Sequence, residues 1–581
     1  MRARFLVAAT LAASVLPAAP AAAGDPIMPL GEVHAGMRCT GYSVVRGTDI
    51  ASFEVDVIDV IAGEATGDEP RILVRASGPA VDATGIGPGF SGSPIYCGDA
   101  AGVSRNIGAI SESIGEFGGK VVLATPIESM LANPVDAPRG QGRPASPRAA
   151  AALRRMREEG TRPLAAPLTI SGVSRPLGRA LEAAGDRIGR PVLAVPAGPL
   201  GSFPPQQLRP GAAVSAGYSS GDLRLSAIGT VTYTDGDRMW AFGHPFEGAG
   251  ARSLLLQDAY VFDVVNEPNA AITGGSYKLA VAGHDLGTLT NDAFSAVVGR
   301  VGAVPPTVPV QVIATDRDTH ERRVVNTTVA DETDVDNPTG FSPLSSVAPL
   351  AVAQAAGNVL HSTPGRLTGT MCLRITFRER PKHRARFCNR YLSSEILDPE
   401  AGALGNGVAF SAAVDTLDAI SLIETFEGRT PHVAHLNAQI ELQRGQRLAF
   451  LRRVKAPKRV RAGREVKLRV TVQRVRGGRI TRRYRVRIPG GVEPGRRTLT
   501  LAGFRESSPD EDLLEILLGE DLGSEDEASG PATLDDLIGS IQALGRWDGV
   551  QLRMAGRKRR AFRDDNLLIT GRAETRVRVV R

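Results

Sequence analysis

The sequence predicts a mainly β fold spread over several domains, on three observations. At 581 residues the chain exceeds what one hydrophobic core organises, since domains run to roughly 100 to 200 residues. Apolar residues alternate with polar ones in many short runs, the period of half-buried strands. Those runs are punctuated by a large supply of turn formers, 65 glycines and 39 prolines, and no period of 20 to 50 residues marks a solenoid or propeller.

Residues 1–23 have the layout of a secretory signal peptide: basic Met1-Arg2-Ala3-Arg4, an apolar run from Phe5 to Leu16, and Ala21-Ala22-Ala23 before Gly24. The apolar run is too short to span a bilayer and no later stretch is long and uncharged enough, so no transmembrane segment is expected in the mature chain. Residues 24–133 form a first β domain, with Phe53, Val55, Val57 and then Ile72-Leu73-Val74 as alternating or buried strands. Residues 134–190 shift to Ala, Arg and Pro and read as a linker with a short helix at Arg148 to Glu159. Strand patterning returns in 191–400, over Ala227 to Tyr233, Ser253 to Val265 and Val308 to Ile313, followed by an Ala-rich helix at Pro343 to Val359. In 401–505 a β-sandwich-like module is expected, because Val466, Leu468, Val470 and Val472 alternate with Lys467, Arg469 and Thr471. The remainder, 506–581, opens with an acidic run, then a helix from Leu534 capped by Thr533 with Asp535 and Asp536 in its first turn, then terminal strands.

Export places the four cysteines in an oxidising setting, where an even count favours disulfides. Of three possible pairings, Cys39 with Cys97 and Cys372 with Cys388 keep each bridge inside one domain. No C-x-x-C or close Cys/His spacing supports a metal site. Net charge is +7, concentrated between Arg452 and Arg487, which suits anionic cell-envelope polymers. Aromatics make up only 5 % of the chain and none are arranged as stacking platforms between the basic residues, so nucleic acid is not an expected partner.

The sharpest chemical feature is Gly89-Phe90-Ser91-Gly92-Ser93-Pro94. Glycines beside a serine allow a tight turn, and the N–H groups of Gly89 and Ser91 can converge on the oxyanion of a tetrahedral intermediate. Ser93 is a competing hydroxyl in the same loop. A serine needs a base, and His244 in Ala241-Phe242-Gly243-His244-Pro245-Phe246 follows an expected hairpin turned at Asp235-Gly236-Asp237. His284, next to Asp285, is the second candidate.

Together, the serine motif with Ile95, Ile107-Gly108-Ala109 and Ala124-Thr125-Pro126-Ile127-Glu128, and the histidine motif with Gly229-Thr230-Val231 and Gly287-Thr288-Leu289-Thr290-Asn291, resemble the SpoIVB peptidases, the sporulation-signalling serine peptidases of spore formers. The resemblance covers about 31–131 and 208–313. It implies two trypsin-like β-barrels with an active site between them, Ser91 as nucleophile, His244 as general base, protein or peptide substrates, limited or self cleavage, and no cofactor. Here the serine half precedes the histidine half, a permuted order that triad chemistry tolerates because geometry decides it. No PDZ-like segment is evident. The acid that the family carries shortly before the serine aligns with Ser77-Gly78-Pro79, leaving Asp82, Asp258 or Asp292 to orient the histidine. The same missing acid also motivates a second expectation, a catalytically degenerate envelope binding or scaffold protein on the same fold. Either way the implied setting is bacterial, secreted or envelope-associated.

Overall fold

The computed structural model describes residues 24–63, 69–114, 118–136, 161–163, 167–187, 192–195, 203–267, 275–335, 342–360, 367–393, 407–427, 429–475, 477–503, 531–546, 548–564 and 566–580. The segment expected to be a signal peptide, the helix expected at 148–159 and the acidic run at 506–527 lie outside the described residues. The fold is mainly β and built on barrels. Among the described residues no helix is long and apolar enough to cross a membrane.

The first six strands are β1 (Arg38–Arg46), β2 (Asp49–Ile61), β3 (Arg71–Ser77), β4 (Pro94–Gly98), β5 (Ser104–Ile114) and β6 (Val121–Pro126). They pair antiparallel in the ring order 1-2-3-6-5-4, and β4 returns to β1 to close a barrel. Alternation drives it: Phe53, Val55 and Val57 point into the core while Glu54 and Asp56 point out. Cys39 sits directly opposite Cys97 on the closing seam, and the two form a disulfide.

Three short strands follow, β7 (Thr161–Pro163), β8 (Leu168–Ser171) and β9 (Val192–Val195). β8 and β9 are parallel, joined across a helix, Arg175–Arg187, that buries Leu177, Leu181 and Ala184. What composition marks as linker therefore contributes a small βαβ unit, because the helical spacing of those three residues gives it a face to bury.

A second closed barrel comes from β10 (Ala213–Gly217), β12 (Arg224–Asp235), β13 (Arg238–Ala241), β14 (Gly250–Glu267), β15 (Gly275–Ala293) and β16 (Ala296–Val301), with β11 (Ser219–Gly221) leaving it early. Its ring is β10-β12-β13-β16-β15-β14, all antiparallel, which is the same 1-2-3-6-5-4 order. The β12–β13 hairpin turns at Gly236 and Asp237, and Gly236 has φ +61°. Apolar contacts join the barrels: Val44 packs with Ala213, Ile228, Val261 and Ala280, and Ala109 and Met130 pack with Trp240 and Val298.

Beyond the barrels, Thr307–Asp316, Arg322–Ala330, Leu367–Phe377, Arg384–Leu392 and Val433–Arg444 join β11 in a mixed six-stranded sheet. Helices Pro343–Leu360 and Val408–Glu424 pack against it. Cys372 and Cys388 face each other across this sheet as the second disulfide. The C-terminal module is two sheets, four- and five-stranded, around one core that includes Leu468, Val470, Leu499, Leu552 and Val577. It is assembled from 448–580, so the terminal strands complete the sandwich, while the helix Val408–Glu424 and the strand Val433–Arg444 go with the mixed sheet instead. Thr533 caps the helix Leu534–Ala543, accepting from Asp536 N at 3.2 Å.

Candidate functional site

The serine motif fills the connection between β3 and β4, the third and fourth strands of the first barrel. The histidine motif fills the connection between β13 and β14, the third and fourth strands of the second. Because the two rings have one strand order, Ser91 and His244 occupy equivalent loops, and the barrels set those loops against each other.

The contact is made by backbone. A Cβ on Gly92 would lie 1.9 Å from Thr230 O and 2.5 Å from Phe242 N, and one on Gly87 would lie 1.8 Å from Ser276 O. Only residues without side chains permit this approach, and Gly92 also holds φ +89°, in the left-handed region. Hydrogen bonds cross the seam from Thr230 N to Ser91 O (2.8 Å), Thr230 Oγ1 to Gly89 O (3.0 Å), Thr232 Oγ1 to Gly92 O (2.8 Å) and Lys278 N to Pro88 O (2.9 Å). From the other side, Thr125 Oγ1 donates to Gly243 O at 2.7 Å.

Within the serine loop the amides of Phe90, Gly92 and Ser93 donate to Gly87 O, Ile110 O and Phe90 O. Among the described residues those of Gly89 and Ser91 donate to no protein acceptor. Ser91 is fully buried, and its Oγ has no hydrogen-bond partner among the described residues, His244 included. His244 is 3 % exposed, with Nδ1 2.8 Å from Pro245 O and its ring 5.9 Å from that of Phe242. Phe242 itself has φ +70°, followed by Gly243 at +71°. A bulky residue in the left-handed region is strained, and such strain gathers at functional loops where the surroundings over-determine the backbone.

The three candidate acids are placed differently. Asp82 is exposed on the surface and hydrogen-bonds Lys120 at 2.7 Å, which lowers its pKa; it does not reach His244. Asp258 is buried against the second candidate histidine, with Oδ2 3.0 Å from His284 Nδ1. The partner of His284 is thus Asp258, while the adjacent Asp285 takes Gln257 Nε2 and Ser220 Oγ. Asp292, at the end of β15, serves the His244 loop: it accepts from the amides of Phe246, Glu247, Gly248 and Ala249 at 2.6 to 3.3 Å. Burial pushes its carboxyl up, and Arg252 and the amides of Glu247 and Phe246 pull it back. Arg252, also buried, ties the loop further through Glu247 (2.6 Å) and Glu332 (2.8 Å).

One group under the serine loop escaped the sequence analysis. Lys278, on β15, is fully enclosed and donates to Ser43 Oγ at 2.8 Å and Thr230 Oγ1 at 3.2 Å. Its ammonium lies 4.6 Å from the centre of the Phe90 ring, and Ser43 Oγ in turn meets Ser93 Oγ at 2.8 Å. Burial alone pushes this amine down to about 7. The available signal was strand parity, since Ser276, Lys278 and Ala280 share one face of β15.

Fold and loops define a two-barrel β protein with a serine and a histidine motif on one seam. No family model, curated protein or solved structure matches the chain.

Proposed function

We propose that the protein is an exported serine peptidase of the SpoIVB type, acting on protein or peptide substrates. The observation that carries this assignment is the meeting of equivalent loops from two barrels of identical strand order, one bearing Ser91 and the other His244. Ser91 Oγ attacks the peptide carbonyl, His244 accepts its proton and returns it to the leaving amine, and water then repeats the sequence on the acyl-enzyme. The free-pointing amides of Gly89 and Ser91 are the oxyanion donors. Asp292 takes the place of the missing acid indirectly, by fixing the backbone of the histidine loop. Signal peptide and disulfides fit export, and the exposed Arg459, Lys467, Arg469 and Arg485 of the sandwich suit an anionic envelope polymer.

The burial of Ser91, with no hydrogen bond to His244, favours a second assignment, a scaffold that has lost catalysis. A fluorophosphonate probe with peptide mapping separates the two. The peptidase assignment expects label on Ser91, lost in Ser91→Ala and slowed by roughly 10⁴-fold or more in His244→Ala. Label absent from the wild-type protein, or placed on another residue, rejects it.

A further inference from the structure

Lys278 touches three consecutive residues of the serine loop. Its backbone N–H holds Pro88 O at 2.9 Å, which orients the Pro88–Gly89 peptide and therefore the Gly89 N–H on its opposite edge. Its side-chain carbons fill the space beside Gly89, where a Cβ would lie 2.8 to 3.0 Å from them. Its ammonium lies over the Phe90 ring and donates to Thr230 Oγ1, the hydroxyl that itself donates to Gly89 O. Removing those contacts would release the loop at the residues that supply the oxyanion donors.

The surroundings of the ammonium are equally specific. It is met by Ser43 from β1, Phe90 from the serine loop and Thr230 from β12, with Ser93 behind Ser43, while its cross-strand partner on β14 is Val264. No carboxylate or other titratable side chain pairs with it among the described residues. A buried cation without a counter-ion is costly, and away from solvent its charge is screened less than at the surface.

We propose that Lys278 is a positioning residue of the Ser91 site, setting the serine loop through Pro88, Gly89 and Phe90 and lending positive charge to the anion that forms there. This rests on the peptidase assignment above. The amine carries its proton below about pH 7, so the charge it lends is fully present only on the acid side of that value.

The test is the rate of fluorophosphonate labelling of Ser91 between about pH 5.5 and 9, in wild type and Lys278→Met. The wild-type rate should fall on the alkaline side as Lys278 loses its proton. In Lys278→Met that fall should vanish, and the maximum rate should drop by about 10- to 100-fold, less than the loss of a direct oxyanion donor. Ser43→Ala keeps the lysine but removes one acceptor, and should move the alkaline limb to lower pH. Ser91 labelling at wild-type rate with an unchanged profile in Lys278→Met overturns the inference alone, as does an unmoved limb in Ser43→Ala. Absence of label from wild-type Ser91 at every pH overturns the peptidase assignment and this inference with it.

Discussion

Replacing Lys278 by methionine should make the barrel pair more stable, by an amount that depends on pH. The amine titrates near 7 in the folded protein against 10.5 ordinarily, a difference worth roughly 5 kcal/mol at 1.36 kcal/mol per pH unit. Between those limits the unfolded chain binds more protons than the folded one, so wild-type stability rises with pH across the window and is lost as pH falls from 10.5 to 7. Methionine fills similar volume and carries no proton. It forfeits hydrogen bonds to Ser43 and Thr230, but those hydroxyls retain each other at 3.3 Å and keep Ser93 and Gly89 O. The net gain below neutrality is then about 3 kcal/mol, after about 2 kcal/mol for the lost bonds. Between about pH 7.5 and 9 the wild type should close the gap by about 2 kcal/mol. Guanidinium unfolding followed by Trp240 fluorescence reads the second barrel directly, in a Trp547→Phe background that removes the other of the chain's two tryptophans. A wild-type to variant difference that stays constant over that interval would refute the claim that Lys278 is a desolvated amine with no counter-ion among the described residues, since other titrations cancel in the comparison.

Two further outcomes follow from the seam and the bridges. Gly92→Ala should cost about 3 kcal/mol or more and abolish labelling, because its Cβ meets backbone on the opposite barrel at 1.9 Å; unchanged stability by denaturant titration would contradict it. Removing Cys39 and Cys97 together should cost about 4 kcal/mol and removing Cys372 and Cys388 about 3, reflecting separations of 58 and 16 residues. Equal losses in denaturant titrations of the two double variants would argue against loop closure as the source.

Local pattern made much of this legible. Alternation at Phe53, Val55 and Val57 and at Leu468, Val470 and Val472 marks real strands with the expected inward faces. The two cysteine pairings also emerge, because Cys39 and Cys97 sit in one barrel of contiguous chain and Cys372 and Cys388 on two consecutive strands paired with each other. Non-local pairing was not legible. The mixed sheet depends on the parallel contact between 307–316 and 433–444, and nothing in either segment announces the other. The sandwich likewise recruits 550–580 across a long intervening stretch. At the site, the glycine and histidine motifs stood out through composition. The work of Asp292 on four amides and of Lys278 on the serine loop depends on three-dimensional neighbours, for which spacing in the chain has no counterpart.

The seam where Gly87 meets Ser276 and Gly92 meets Thr230 and Phe242 joins main chain to main chain. An ordinary interface can drift, one side chain shrinking as its neighbour grows, but here there is almost nothing to exchange. The two barrels are therefore bound to change together or not at all, and a half transplanted from a diverged relative should fail to seat even where its own core is sound.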